Sequence, residues 1–152
     1  MTGGFFAALL VGSAAMTAGS TDIAHRHSAR IDHHRGAIDA QYSGRVGVVY
    51  KQVGAVTPGR VPSSLRCQWQ ARLIVERDAR HASGATMTRT MVRDRALTGS
   101  RPGWCSGAKA AIARDVAAHD AALRAHLLAL AADDHDVLTA EIDRLHDRSR
   151  RG

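Results

Sequence analysis

The chain has 152 residues, of which 45% are hydrophobic and only 4% aromatic, so its length fits one domain with a small core, with or without a leader. Its formal net charge of +7 invites a nucleic-acid interpretation, but 19 arginines against 2 lysines indicate a coding bias toward GC-rich codons more than a surface selected for phosphate. We therefore do not expect a nucleic-acid partner.

The first 19 residues have the composition of a secretory leader. They contain no charged side chain, and the apolar run from Phe5 to Met16 includes and precedes small residues in the spacing that signal peptidase recognises. The run is too short to span a bilayer as a helix. It predicts a signal peptide over residues 1–19 and a periplasmic or secreted protein. Because the usual basic start is missing, a buried N-terminal element of the domain is the alternative.

Residues 20–40 are polar, show no sustained hydrophobic period and are predicted to form a linker. Four histidines are crowded into this segment. Imidazoles at such short spacing can bind zinc or copper, so the segment is a candidate metal site. Solvated linker histidines are the alternative, because a flexible stretch does not fix a ligand geometry. The candidate ligands are His25, His27, His33 and His34.

A strand is predicted over residues 65–77, because apolar and polar residues alternate there with a period of two. The residues on the apolar face are Leu65, Cys67, Trp69, Ala71, Leu73 and Val75. A valine-rich run predicts a second strand over 45–56. Residues 86–97 predict a third, and since neither of its faces is cleanly apolar, it suits the edge of a sheet.

The C-terminal part predicts helix over residues 106–132 and 135–147, followed by a basic tail over 148–152. Ser106 is the expected N-cap, and Asp133 to Asp136 interrupt the apolar stripe, so the helix is kinked or broken there. The stripe comprises Ile112, Val116, Leu123, Leu127 and Leu130. Together these elements predict one α+β domain over residues 41–147, in which a long helical segment packs across a small antiparallel sheet of three or four strands.

The two cysteines are predicted to form a disulfide. Cys67 lies on the buried face of the central strand and Cys105 at the start of the helix. An exported chain meets an oxidising compartment, where a single pair leaves no spare thiol. The bond would tie the helix to the sheet, with Trp69 and Trp104 packed around it. Two buried free thiols in a cytosolic protein are the alternative.

Cys105 also supports an enzymatic alternative. It precedes a helix, whose dipole lowers the pKa of a thiol and activates it as a nucleophile. The sequence Cys105-Ser106-Gly107 is similar to the start of the catalytic helix in bacterial cell-wall cysteine peptidases. The resemblance covers three residues and would imply a cysteine hydrolase. That family places strands carrying a histidine base after the helix, whereas here only helix follows and His81 lies upstream.

An anionic partner is a further possibility, because the polar face of the sheet is expected to carry arginines together with Gln68 and Gln70. The arginines are Arg66, Arg72 and Arg89. Since aromatic stacking platforms are missing apart from Tyr50, we expect a solvated face. The sequence therefore favours a non-catalytic envelope protein that acts by binding or structural interaction, with another envelope protein or a second copy as partner. A metal-binding protein is the alternative, and a cysteine hydrolase the third.

Overall fold

A computed structural model of the chain describes residues 21–59 and 63–152. They form a four-stranded antiparallel sheet in the order β1-β2-β3-β4, followed by two helices. The predicted α+β architecture is thus confirmed, while the predicted leader over 1–19 lies outside the described residues. The elements are β1 Thr21–Ile31, β2 Ile38–Val53, β3 Arg66–His81, β4 Thr86–Pro102, α1 Cys105–Ala118 and α2 Asp120–Arg151.

Strand β3 lies inside the sheet and supplies much of its buried face. It pairs with β2 along its whole length, from Arg66 opposite Val53 to His81 opposite Ile38. Every apolar residue of the predicted alternation, from Leu65 to Val75, is buried. The burial continues in phase beyond Val75, so that Arg77, Ala79 and His81 also face inward. A charged side chain therefore occupies a core position.

Strand β1 contradicts the predicted linker over residues 20–40. It pairs with β2 from His25 opposite Gly44 to Ile31 opposite Ile38, and the two strands are joined by residues 32–37, which contain a turn. Ile31 and Ile38 are both buried at the mouth of this turn. The strand could not be recognised from the sequence, because histidines occupy inward positions of β1 where apolar residues would have produced the alternating pattern of a strand.

Strand β4 is the edge strand that was expected, but it runs to Pro102 instead of ending near residue 97. Its register with β3 shifts between the partners of Ala71 and Leu73, and Arg95 there has a φ of 51°. After this bulge the chain pairs again with β3. Gly99 lies opposite Trp69, and a Cβ at this glycine would come within 2.5 Å of the indole ring. The missing side chain makes room for the tryptophan.

The two helices meet at His119, not at the aspartates where the break was predicted. α2 runs unbroken through residues 133–136 and extends through most of the predicted basic tail. The start of α1 also differs: Trp104 is its N-cap residue and makes no capping side-chain bond, so Ser106 is not the cap. The amide oxygen of Gln52 on β2 instead accepts the backbone N–H of Cys105 at 2.8 Å.

Both helices cover the same face of the sheet. Most of the predicted stripe is buried, and Leu130 packs against the core as a partly buried residue. The buried stripe also continues beyond its predicted end. The buried helical residues are Ala108, Ile112 and Val116 on α1 and Leu123, Leu127, Ala131, Asp134, Leu138 and Ile142 on α2.

Candidate functional site

The structure separates the four candidate histidines into two pairs. His25 and His27 lie on β1 and face the helices: His25 is buried with Nε2 at 3.4 Å from Asp120, and His27 stacks on Tyr42 with ring centroids 6.0 Å apart. His33 and His34 lie beyond the strand, in the turn that leads to β2. A single site using all four histidines is therefore not what the fold assembles.

The second pair meets an aspartate from the far end of the chain. His33 Nε2 lies 3.5 Å and His34 Nε2 lies 3.8 Å from Oδ1 of Asp143, which belongs to the last part of α2. One nitrogen from each ring and one carboxylate oxygen all lie within 4.8 Å of one another. Two imidazoles and a carboxylate form a ligand set suited to zinc and other divalent transition metals. We call this group the turn–helix cluster.

Arg35 occupies part of the space between these groups. Its Nε lies 3.4 Å from Asp143 Oδ1 and donates a hydrogen bond to His34 Nε2 at 3.1 Å. Its backbone N–H donates to His33 Nδ1 at 3.3 Å. The guanidinium thus supplies the positive charge that balances the aspartate, and it holds one imidazole nitrogen in the acceptor state.

Two further histidines lie behind the turn. His81, at the end of β3, is buried, and its ring meets that of His146 edge-on at a centroid distance of 5.3 Å. A Cβ on Gly36 would come within 3.1 Å of His81 Nε2, so the turn passes directly over this ring. Burial, His34 and His81 lower the pKa of His33, against the opposing effect of Asp143. His33 is therefore a neutral imidazole near pH 7, the form that binds metal ions.

The cysteines lie at the opposite end of the sheet, where the structure contains the predicted disulfide. Cys67 and Cys105 are bonded across a Cα separation of 4.8 Å, which joins β3 to the first residue of α1. Gln52 reinforces the junction, since its amide N–H group donates to the carbonyl oxygens of Arg66 and Gly103. Trp69 is buried in this region, but Trp104 is 59% exposed and does not pack there as expected.

A buried ion cluster that the sequence did not reveal joins the middle of α2 to the sheet. Arg77 Nη1 on β3 donates to Asp134 Oδ2 at 2.9 Å, and both side chains are fully buried. Arg77 Nη2 donates to Glu141 at 2.6 Å, and Arg89 donates to the second oxygen of Asp134 at 2.8 Å. The Tyr42 hydroxyl donates to Asp134 at 3.2 Å. Each charge therefore has a partner of opposite sign.

The surroundings of the cluster raise the pKa values of Tyr42 and Arg77. Burial and the charge of Asp134 raise the pKa of Tyr42 to about 12, so this phenol is neutral at physiological pH. Burial opposes the charge of Arg77, but hydrogen bonds to Asp134 and Glu141 outweigh it and raise the pKa of this residue. The arrangement holds the charges of Arg77 and Asp134 in place, and both of these side chains are shielded from solvent.

The predicted basic face of the sheet is only partly formed. Arg66 and Arg72 are on the outer face, but Arg89 points inward to the ion cluster. Arg72 is paired with Asp94 at 2.6 Å, and Arg45 lies 3.7 Å from Glu76. Two arginines of the outer face thus have acidic partners, which favours the solvated face over an anionic docking surface.

No protein-family model, curated protein or solved structure matches this chain. Within residues 21–59 and 63–152, neither helix contains an apolar stretch long enough to cross a membrane.

Proposed function

We propose that this protein is exported to the periplasm or the exterior and acts there by binding or structural interaction, without catalysis. The observation that carries the proposal is the Cys67–Cys105 disulfide, which uses both cysteines of the chain. Stable disulfides belong mainly to oxidising compartments. The apolar composition of residues 1–19 supports the same location from an independent part of the sequence.

The disulfide also favours binding over the hydrolase alternative. A cysteine nucleophile acts as its thiolate, and a bonded Cys105 has no thiolate to offer. The base of α1 is instead held to β3 and to Gln52, which is an arrangement for stability. As partner we propose another envelope protein or a second copy of the chain.

Intact mass spectrometry of the full chain, expressed in a bacterium with its own leader, tests export directly. We expect the periplasmic fraction to contain a protein that has lost residues 1–19 or a closely similar segment and two hydrogen atoms from its cysteines. Leu10→Arg, which breaks the apolar run, is the matched control and should hold the chain in the cytosol. Full-length, folded and fully reduced protein recovered from the cytosol would contradict the proposal.

Metal binding is a second candidate function, and the turn–helix cluster is the observation that favours it. His33, His34 and Asp143 offer one nitrogen or oxygen ligand each within 4.8 Å. Calorimetric titration with Zn²⁺ or Cu²⁺ tests this function. We expect binding to the natural sequence and a loss of heat when the histidines at 25, 27, 33 and 34 are all replaced by alanine. Equal heats from both proteins would rule it out.

A further inference from the structure

We propose that His33, His34 and Asp143 bind one divalent transition-metal ion, such as Zn²⁺ or Cu²⁺, and that Arg35 leaves the cluster when the metal enters. The inference rests on the metal-binding candidate above and makes it specific. It selects two of the four candidate histidines, adds a carboxylate from the last part of α2 and leaves His25 and His27 out.

The first argument is distance. Zinc binds imidazole nitrogen and carboxylate oxygen at about 2.0 to 2.2 Å, which places two ligands of a tetrahedral ion about 3.3 Å apart. The nitrogens of His33 and His34 lie 3.5 and 3.8 Å from Asp143 Oδ1. The three ligand atoms lie within 4.8 Å of one another, so rotations of the two rings and of the carboxylate must bring the more distant atoms closer to form three bonds. The fourth position is left for water, as in sites with three protein ligands.

The second argument is the state of the carboxylate oxygen. Asp143 Oδ1 is buried although the side chain as a whole is 46% exposed, and it accepts no hydrogen bond from the described residues. A buried carboxylate oxygen without a donor is costly. Two imidazoles and a guanidinium surround it at 3.4 to 3.8 Å, close enough for attraction but outside hydrogen-bond geometry. A metal ion would satisfy this oxygen directly.

The third argument concerns Arg35, which marks the place where a cation is already favoured. Its Nε hydrogen bonds to His34 Nε2, the atom that lies closest to Asp143 on that ring. A metal ion bound to His34 Nε2 must replace this bond. When the ion binds His33 through Nε2, the proton of that ring lies on Nδ1, which can then no longer accept the backbone N–H of Arg35. Arg35 therefore acts as an internal competitor of the metal. Gly36, the next residue, has a φ of 127° and gives the turn a conformation that other residues rarely adopt.

Metal binding at this position has a structural consequence. His33 and His34 belong to the β1–β2 turn, whereas Asp143 belongs to the last part of α2, so the ion would join two elements that are distant in the chain. A ligand that binds only the folded state raises its stability by mass action. We therefore expect Zn²⁺ to raise the Tm of the protein, and to do so only when the cluster is intact.

The test uses the mature, disulfide-bonded protein and calorimetric titration with Zn²⁺, supported by the visible absorption of Co²⁺ as a tetrahedral reporter. We expect one ion per chain. Asp143→Asn should weaken binding by more than about tenfold because it removes the negative charge of one ligand, and His33→Ala by a similar factor because it removes a ligand. Circular dichroism establishes that both variants are folded.

α2 offers a matched control pair. His135 and Asp136 also form a histidine–aspartate contact, with Nδ1 and Oδ1 at 3.3 Å, but the contact lacks a second imidazole. Asp136→Asn and His135→Ala should leave the affinity unchanged. Arg35→Gln should tighten binding at least about threefold, because it removes a competing positive charge.

The outcomes separate the site from the function. If the natural protein binds no Zn²⁺ or Cu²⁺, the metal-binding candidate and the site both fail. If it binds, but Asp143→Asn and Asp136→Asn behave alike, the metal-binding candidate survives and the site is wrong. If Arg35→Gln weakens binding, the competitor role is wrong. Export of the protein is decided separately by the mass of the mature chain.

Discussion

The sheet is joined to α1 by a covalent bond and to the middle of α2 by buried charges. At α1, Cys67 and Cys105 constrain the chain whether or not it is folded. At α2, Arg77 and Asp134 attract each other only in the folded geometry, after both have lost their hydration. The first junction stabilises mainly by restricting the unfolded state, and the second by specifying how α2 sits on the sheet.

Removing the covalent junction is expected to have the largest effect. In the chain-entropy model, a bond across a sequence separation of 38 residues contributes about 4 kcal/mol to the free energy of unfolding. The double variant Cys67→Ala with Cys105→Ala should lose about that much in urea denaturation. Its m value should rise, because the unfolded chain is less compact without the bond. A loss below about 1 kcal/mol would show that the junction does not act as proposed.

Breaking the ionic junction should cost slightly less. Asp134→Ala removes two hydrogen bonds from buried or half-buried arginines and leaves Arg77 with Glu141 as its remaining acidic partner. We expect a loss of about 3 kcal/mol, because a buried charge is left incompletely compensated. The m value should not change. Asp133→Ala, on the exposed side of the same helix, is the control and should stay within about 0.5 kcal/mol of the natural protein.

The covalent junction could be predicted from the sequence, and the ionic one could not. β3 was predicted because six apolar residues alternate with polar ones. The disulfide was predicted because two cysteines allow a single pairing. Arg77 continues the same alternation, but a charge at an inward position is read as the end of a strand. Asp134 likewise lies in helical phase with Leu127, Ala131 and Leu138. The sequence did contain a signal for this ion pair. Arg77 is a basic residue in phase with the apolar face of β3, and Asp134 is an acidic residue in phase with the apolar face of α2.

The candidate metal ligands illustrate a second limit. The local density of histidines drew attention to the segment that includes the turn, where His33 and His34 are adjacent in sequence. Asp143 was not predicted, since more than a hundred residues separate it from them and only the packing of α2 across the sheet brings it near. β1 was missed for a related reason, as inward histidines disguise its period. Sequence patterns report local structure, whereas a site between elements depends on tertiary packing.

Close packing near the disulfide gives a third, smaller test. Gly99→Ala would place a Cβ 2.5 Å from the ring of Trp69, which lies opposite Gly99 on the neighbouring strand β3. Overpacking of this kind costs about 1 to 3 kcal/mol, and we expect about 2. Gly47→Ala is the matched control, because a Cβ there meets no atom within 4 Å. Equal stability of the two variants would mean that the indole moves aside freely.

We expect the smallest effect from a change at Tyr42, the uncharged member of the ionic junction. Tyr42→Phe removes one hydrogen bond to Asp134, which keeps its two arginines, so we expect a loss of about 1 kcal/mol at pH 7.

The folded state raises the pKa of Tyr42 from 10.0 to about 12, so the unfolded phenol ionises first as the pH rises. Stability linked to Tyr42 is therefore complete below pH 10 and lost between pH 10 and about 12. Phenylalanine has no such ionisation, so the difference in stability between the two proteins should narrow and then reverse over that range in urea unfolding. A difference that stays constant up to pH 11 would show that Asp134 and burial do not hold this phenol neutral.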